Sequence, residues 1–159
     1  MSQELEEFHK IKIKTRAEYD RIGKVFCPAL KSDIVFNSDG FHHLSYDRNR
    51  SERDKRAQLN KFRFLQEAVN IFQKSTTIQE YRRLIIPVGH PDKGGMRKTD
   101  LVEWFGFYAV ISFSRRIRVM AVVRRIGAEN GKYHFWSVMP YWKLSKGNKV
   151  IGVKTIEDR

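Results

Sequence analysis

Leu101-Val-Glu-Trp-Phe-Gly-Phe-Tyr-Ala-Val-Ile-Ser-Phe113 decides the fold. It is dense in the β-branched and aromatic residues that suit a pleated, half-buried surface. Two further runs follow. Ile117 to Ile126 is apolar, and Lys132 to Met139 alternates Tyr133, Phe135, Ser137 and Met139 against His134, Trp136 and Val138. Ser114-Arg-Arg116 and Gly127-Ala-Glu-Asn-Gly131 separate the runs and are short enough for hairpins, so they predict a three-stranded antiparallel meander. Asp33-Ile-Val-Phe-Asn37, closed by the turn-like Ser38-Asp39-Gly40, supplies a fourth strand.

Upstream the period is helical. Leu59, Phe62, Leu65, Val69 and Phe72 recur every three or four residues, and the capping-box pattern Ser51-Glu-Arg-Asp54 opens a helix to about Lys74. A second such pattern, Thr15-Arg-Ala-Glu18, opens a helix carrying Tyr19, Ile22 and Phe26, which Pro28 ends. Residues 1–14 read as a loosely attached arm, 15–145 as one domain and 146–159 as a polar tail. Thr76 to Ile86 fits a helix or a strand, and Pro87 to Thr99, with its Pro and Gly, is a loop with the look of a flap. Helices first and a meander afterwards indicate an α+β domain, N-terminal helices packed on a four-stranded antiparallel sheet.

The 31 Lys and Arg outnumber the 18 Asp and Glu, for a net charge of +13. That balance favours a polyanionic partner, and the 11 Phe, 6 Tyr and 3 Trp exclude a basic disordered tail. Cys27 is the single cysteine, so no internal disulfide forms and a reducing, cytoplasmic setting is expected. No run approaches the roughly 18 to 20 apolar residues of a membrane span.

Chemistry concentrates in Gly40-Phe-His-His-Leu44 and the basic run after it. His42 and His43 place imidazoles, the side chain that titrates near neutrality, in what reads as a loop. Arg48 and Arg50 follow, then Arg53, Arg56 and Arg63 on the outer face of the long helix, where they either bind phosphates or form a solvated face with pairs such as Glu52 with Arg56. Arg118 and Arg124 project from one face of a regular strand. Trp136 offers a surface on which a base can stack or a core aromatic, and Ser137 a hydroxyl for a phosphate oxygen or a backbone neighbour. Gly89-His-Pro-Asp-Lys-Gly-Gly95 lacks the spacing of a phosphate loop, and its His-Pro-Asp lacks the helix pair that presents this tripeptide in cochaperones. Asp33, Asp39 and Asp47 are scattered, which favours a mechanism without metal or other cofactor.

From Tyr19 to Trp142 the order helix, strand, Gly40-Phe-His-His-Leu44, basic helix and basic meander ending in Tyr133-His-Phe-Trp-Ser-Val138 resembles the superfamily of barnase, EndoU, the tRNA-cleaving colicins and RelE, in its phage-associated or toxin-like branch. The resemblance implies metal-independent cleavage of tRNA or other RNA by attack of the 2′-hydroxyl on the adjacent phosphate, and an acidic antitoxin or immunity protein as partner. Carried over, His43 is the acid or base, Arg53 and Arg56 hold the scissile phosphate, Arg124 supports it from the sheet and Ser137 is a polar partner. His42, Arg48, Arg50, Arg63, Arg118 and Trp136 are the expected nucleic-acid contacts. No Glu falls in the implied site, so the general base stays unassigned. The alternatives are a nucleic-acid-binding module without catalysis and a phage-particle accessory domain.

Overall fold

The computed structural model describes residues 2–47, 49–113, 115–140 and 156–158. The first helix is longer than expected. α1 (Gln3–Ile22) begins at Ser2, whose side chain accepts from the Leu5 amide, with Glu4 and Glu6 favourably placed in its first turn. The arm expected over 1–14 is therefore the front of α1, held down by Phe8, which is buried against Phe62. Thr15 caps nothing; its hydroxyl donates back to the Ile11 carbonyl within the helix. Gly23, at φ 64°, ends α1 and turns the chain into β1 (Lys24–Cys27), so Phe26 lies on an exposed edge strand and not on a helix.

A turn through Pro28 and Lys31 joins β1 to β2 (Ser32–Val35). The expected turn at Ser38-Asp39-Gly40 is instead the first turn of α2 (Ser38–Ser45), because Asn37 caps it by accepting from the Gly40 amide at 3.0 Å. The histidine pair thus belongs to a helix. α3 (Lys55–Arg63) is capped by Asp54 rather than Ser51, so Arg53 precedes the helix. The long helix breaks at buried Phe64, and α4 (Leu65–Lys74) carries Leu65, Val69 and Phe72 into the core.

β3 (Glu80–Val88) resolves the ambiguous segment as a strand, followed by β4 (Lys98–Phe113), β5 (Arg115–Ile126) and β6 (Tyr133–Pro140). The predicted loop shrinks to 89–97, the tip of the β3–β4 hairpin, gathered by Asp92, whose carboxylate accepts from the amides of Gly94 and Met96. The α+β class holds, but among the described residues the sheet has six strands in the order β1-β2-β6-β5-β4-β3 and is mixed, since β2 runs parallel to β6. The four-stranded antiparallel expectation missed the β1–β2 hairpin, the strand β3, and the return of β6 beside β2 after the whole intervening chain.

Alternation along the central strands buries both faces. Phe105, Phe107, Val119, Ala121 and Val123 join the main core under the helices, while Val102, Trp104, Met120 and Val122 form a smaller cluster covered by Ile156 of the 3₁₀ turn Ile156–Asp158. Ile156 and Glu157 of the expected polar tail are therefore buried; residues 146–155 and 159 lie outside the described residues. A bulge on β6 changes its alternation. Val122 pairs with Ser137 and Val123 with Phe135, leaving Trp136 as the extra residue, so Phe135 and Val138 both face the main core. β2 covers β6 only at Tyr133 and His134, and α2 and α3 pack against β6. No helix of the described residues is long and apolar enough to cross a membrane.

Candidate nucleic-acid interface

A cleft of about 1130 Å³ opens where α1, α2, the sheet and the β3–β4 hairpin meet. Lys12 and Arg16 line it from α1, and His90 and Arg97 from the hairpin. His42, His43, Tyr46 and Arg50 come from α2 and the turn beyond it, and Trp104, Arg124 and Trp136 from the sheet.

Trp136 organises the floor. The imidazole of His43 stacks on one side of its indole, centroids 3.8 Å apart and planes 19° from parallel. The guanidinium of Arg124 lies 4.0 Å from the ring centroid, and the indole N–H donates to the Glu157 carbonyl at 3.0 Å. With 8 % of its surface exposed, Trp136 has no room to stack a base; it fixes its neighbours instead. A cation over an indole away from water is stabilised by about 2 kcal/mol.

His43 is 3 % exposed and clamped by Arg53, whose Nε donates to the His43 carbonyl at 3.0 Å and whose terminal nitrogen lies 3.1 Å from His43 Nε2. A guanidinium only donates, so Nε2 accepts in this arrangement. Arg53 is itself buried, and here acts as a brace for the imidazole rather than as a helix-face phosphate contact.

Arg124 points differently. Its Nε is buried with no hydrogen-bond partner among the described residues, and Asp39, 3.9 Å from its terminal nitrogen, is largely exposed. Burial pushes the guanidinium pKa down and Asp39 pushes it back up, yet an arginine stays a cation near neutrality. His134, paired directly with Arg124 across the strands, has Nδ1 3.1 Å from the side-chain amide of Asn37. The cap orients that amide: the Asn37 oxygen accepts from Gly40, which leaves the NH₂ to donate to Nδ1 and puts the neutral imidazole's proton on Nε2. Burial first, then the charge of Arg124, hold the His134 pKa below its ordinary value, with Lys132 adding to this and Asp39 opposing it.

Ser137 is wholly buried and accepts from Lys61 Nζ at 2.7 Å; Lys61 is 3 % exposed. The hydroxyl holds a buried ammonium and presents nothing to the cleft. Arg56 and Arg63 are exposed on α3 and do not line the cleft, nor does Arg118, which shares a strand face with Arg124 but sits six residues away, about 20 Å along a strand. Arg48 lies outside the described residues.

The structure therefore brings together His43, Arg53, Arg124 and Trp136 directly, with His42 and Arg50 on the same cleft. Sequence reasoning missed Asn37, Asp39, Tyr46, Lys61, His90, Arg97 and His134. Asn37 had a signal, an N-cap residue three positions before Gly40. The approach of His90 and Arg97 depends on how far the hairpin reaches, which periodicity does not encode. Among the described residues no group of three or more His, Cys, Asp or Glu is arranged to hold a metal ion. The arrangement can hold an anion at Arg124, offer imidazole nitrogens beside it, and present flat rings at the rim. Comparison with protein-family models, curated proteins and solved structures gives no match.

Proposed function

We propose that the protein binds single-stranded RNA in this cleft, with Arg124 contacting a backbone phosphate. The observation that carries the reading is the Arg124 guanidinium, laid on Trp136 and lining the cleft with 18 % of its side chain exposed and the largely exposed Asp39 carboxylate no nearer than 3.9 Å. A phosphate oxygen in the cleft can accept charge-assisted hydrogen bonds from the terminal nitrogens of this partly exposed, planar guanidinium. The choice of RNA over other polyanions rests on the resemblance of Gly40 to Leu44 and the late basic strands.

Cleavage of the bound strand is the second reading, favoured by three imidazoles, His42, His43 and His90, lining the same cleft. The 2′-oxygen would bond to phosphorus as a base takes its proton, and the bond from phosphorus to the 5′-oxygen would break as an acid protonates that oxygen, leaving a 2′,3′-cyclic phosphate. Arg124 would stabilise the charge on the phosphorane. Since Nε2 of His43 accepts from Arg53, exposed His42 and His90 are the imidazoles open to substrate, and Nε2 of His43 takes part only if substrate displaces Arg53.

The test is incubation of a mixed-sequence single-stranded RNA with wild type, His42→Ala and His43→Ala protein in EDTA, with affinity and product ends both measured. Tight, salt-sensitive binding is expected in wild type. Cyclic-phosphate ends that either substitution abolishes establish cleavage, and binding without products assigns a binding module. No binding at moderate salt contradicts the proposal.

A further inference from the structure

Exposed His42 and half-buried Tyr46 form a parallel stack in the lining of the cleft, centroids 4.4 Å apart and planes 11° from parallel. The pair is built rather than accidental. It joins one helical turn, and the backbone holds both ends: the Tyr46 amide donates to the His42 carbonyl at 2.9 Å, and Tyr46 bridges Glu52 on its other side. Asp47 then gathers the next turn, its carboxylate accepting from the amides of Asn49 and Ser51, and this turn carries Arg50, at φ 63°, into the cleft lining. Unlike Trp136, whose indole is nearly enclosed, His42 is exposed and Tyr46 half-buried.

We propose that this stack seats one nucleobase of the bound strand, with Arg50 and Arg16, which line the same cleft, to meet the flanking phosphates. The inference rests on the RNA-binding reading. Every base has a flat face, so a rigid pair of rings at a basic cleft accepts a base without reading its edge, and fixing the rings beforehand lowers the entropy cost of stacking. A helix-end stack with a purely structural task would not distinguish a strand with bases from one without.

The experiment compares the affinity of the full chain for a single-stranded oligoribonucleotide with its affinity for a sugar-phosphate oligomer of the same length lacking bases. Wild type is expected to prefer the base-bearing strand roughly 5- to 150-fold, the ratio that stacking of one base confers. Tyr46→Ala should bring the ratio close to one and Tyr46→Phe should keep it, with circular dichroism confirming that both variants fold. A ratio unchanged in Tyr46→Ala, or a wild-type ratio of one with both oligomers bound, overturns this inference and leaves the RNA-binding reading standing. Failure of wild type to bind either oligomer overturns that reading and this one with it.

Discussion

The imidazole of His43 and the indole of Trp136 are stacked 3.8 Å apart, one from a capped helix and the other from a β-bulge. Neither element alone would bring them together. The bulge places Trp136 out of step with Phe135, Asn37 starts α2 at the right residue, and Arg53 clamps the ring that results. Arg124 then covers the indole from the cleft.

The first prediction concerns how closely α2 approaches β6. A Cβ on Gly40 would stand 2.3 Å from the Phe135 carbonyl and 2.5 Å from the Tyr19 hydroxyl, and the carbonyl belongs to a paired strand that cannot step aside cheaply. Gly40→Ala should therefore cost about 1–3 kcal/mol or more by denaturant unfolding and shift the near-ultraviolet signal of the tryptophans. Gly94→Ala, whose Cβ meets only the Asp92 side chain at 3.4 Å, should cost a small fraction of that.

Ser137 makes a second case, because its hydroxyl is buried and accepts from the ammonium of Lys61. Ser137→Ala should lower stability by about 1–3 kcal/mol in equilibrium unfolding, the cost of taking an acceptor from a buried charged donor. A loss of RNA affinity larger than this destabilisation explains would place the hydroxyl at the substrate instead.

His134 should make stability depend on pH. Its folded pKa is depressed by burial and by Arg124, so between that value and the unfolded value near 6.5 the unfolded chain binds more protons. The contribution is complete above about pH 6.5 and is lost as pH falls through the folded pKa. Unfolding of wild type and His134→Gln at pH 7.5 and pH 5 measures it: wild type should lose more stability than the variant on acidification.

Much of the architecture was legible in the residues. The apolar stripe of Phe62, Leu65, Val69 and Phe72 and the runs at Leu101, Ile117 and Lys132 mark real helices and strands, because each pattern reflects burial along a regular element. Boundaries were harder. Thr15 and Ser51 carry capping-box spacing yet lie elsewhere, because Ser2 and Asp54 were also able to cap and the packing of Phe8 on Phe62 favoured the longer first helix.

His43, Arg53 and Arg124 stand out by residue type and the structure groups them, but their relations were not legible. The contact of Arg53 with His43 and the link from Asn37 to His134 join segments whose proximity only the sheet order sets. Ser137 was expected at a ligand and is instead enclosed, since the bulged residue Trp136 re-aims the side chains after it.

Arg124 carries the central claim, and the salt dependence of its RNA affinity tests it most directly. Binding of a single-stranded oligoribonucleotide is measured for wild type and Arg124→Gln across a range of salt concentrations. If Arg124 contacts a phosphate, the variant binds more weakly and its slope of log affinity against log salt is shallower by about 0.7, the share of one phosphate on a single strand. Equal affinity and an equal slope in the two proteins would contradict the account.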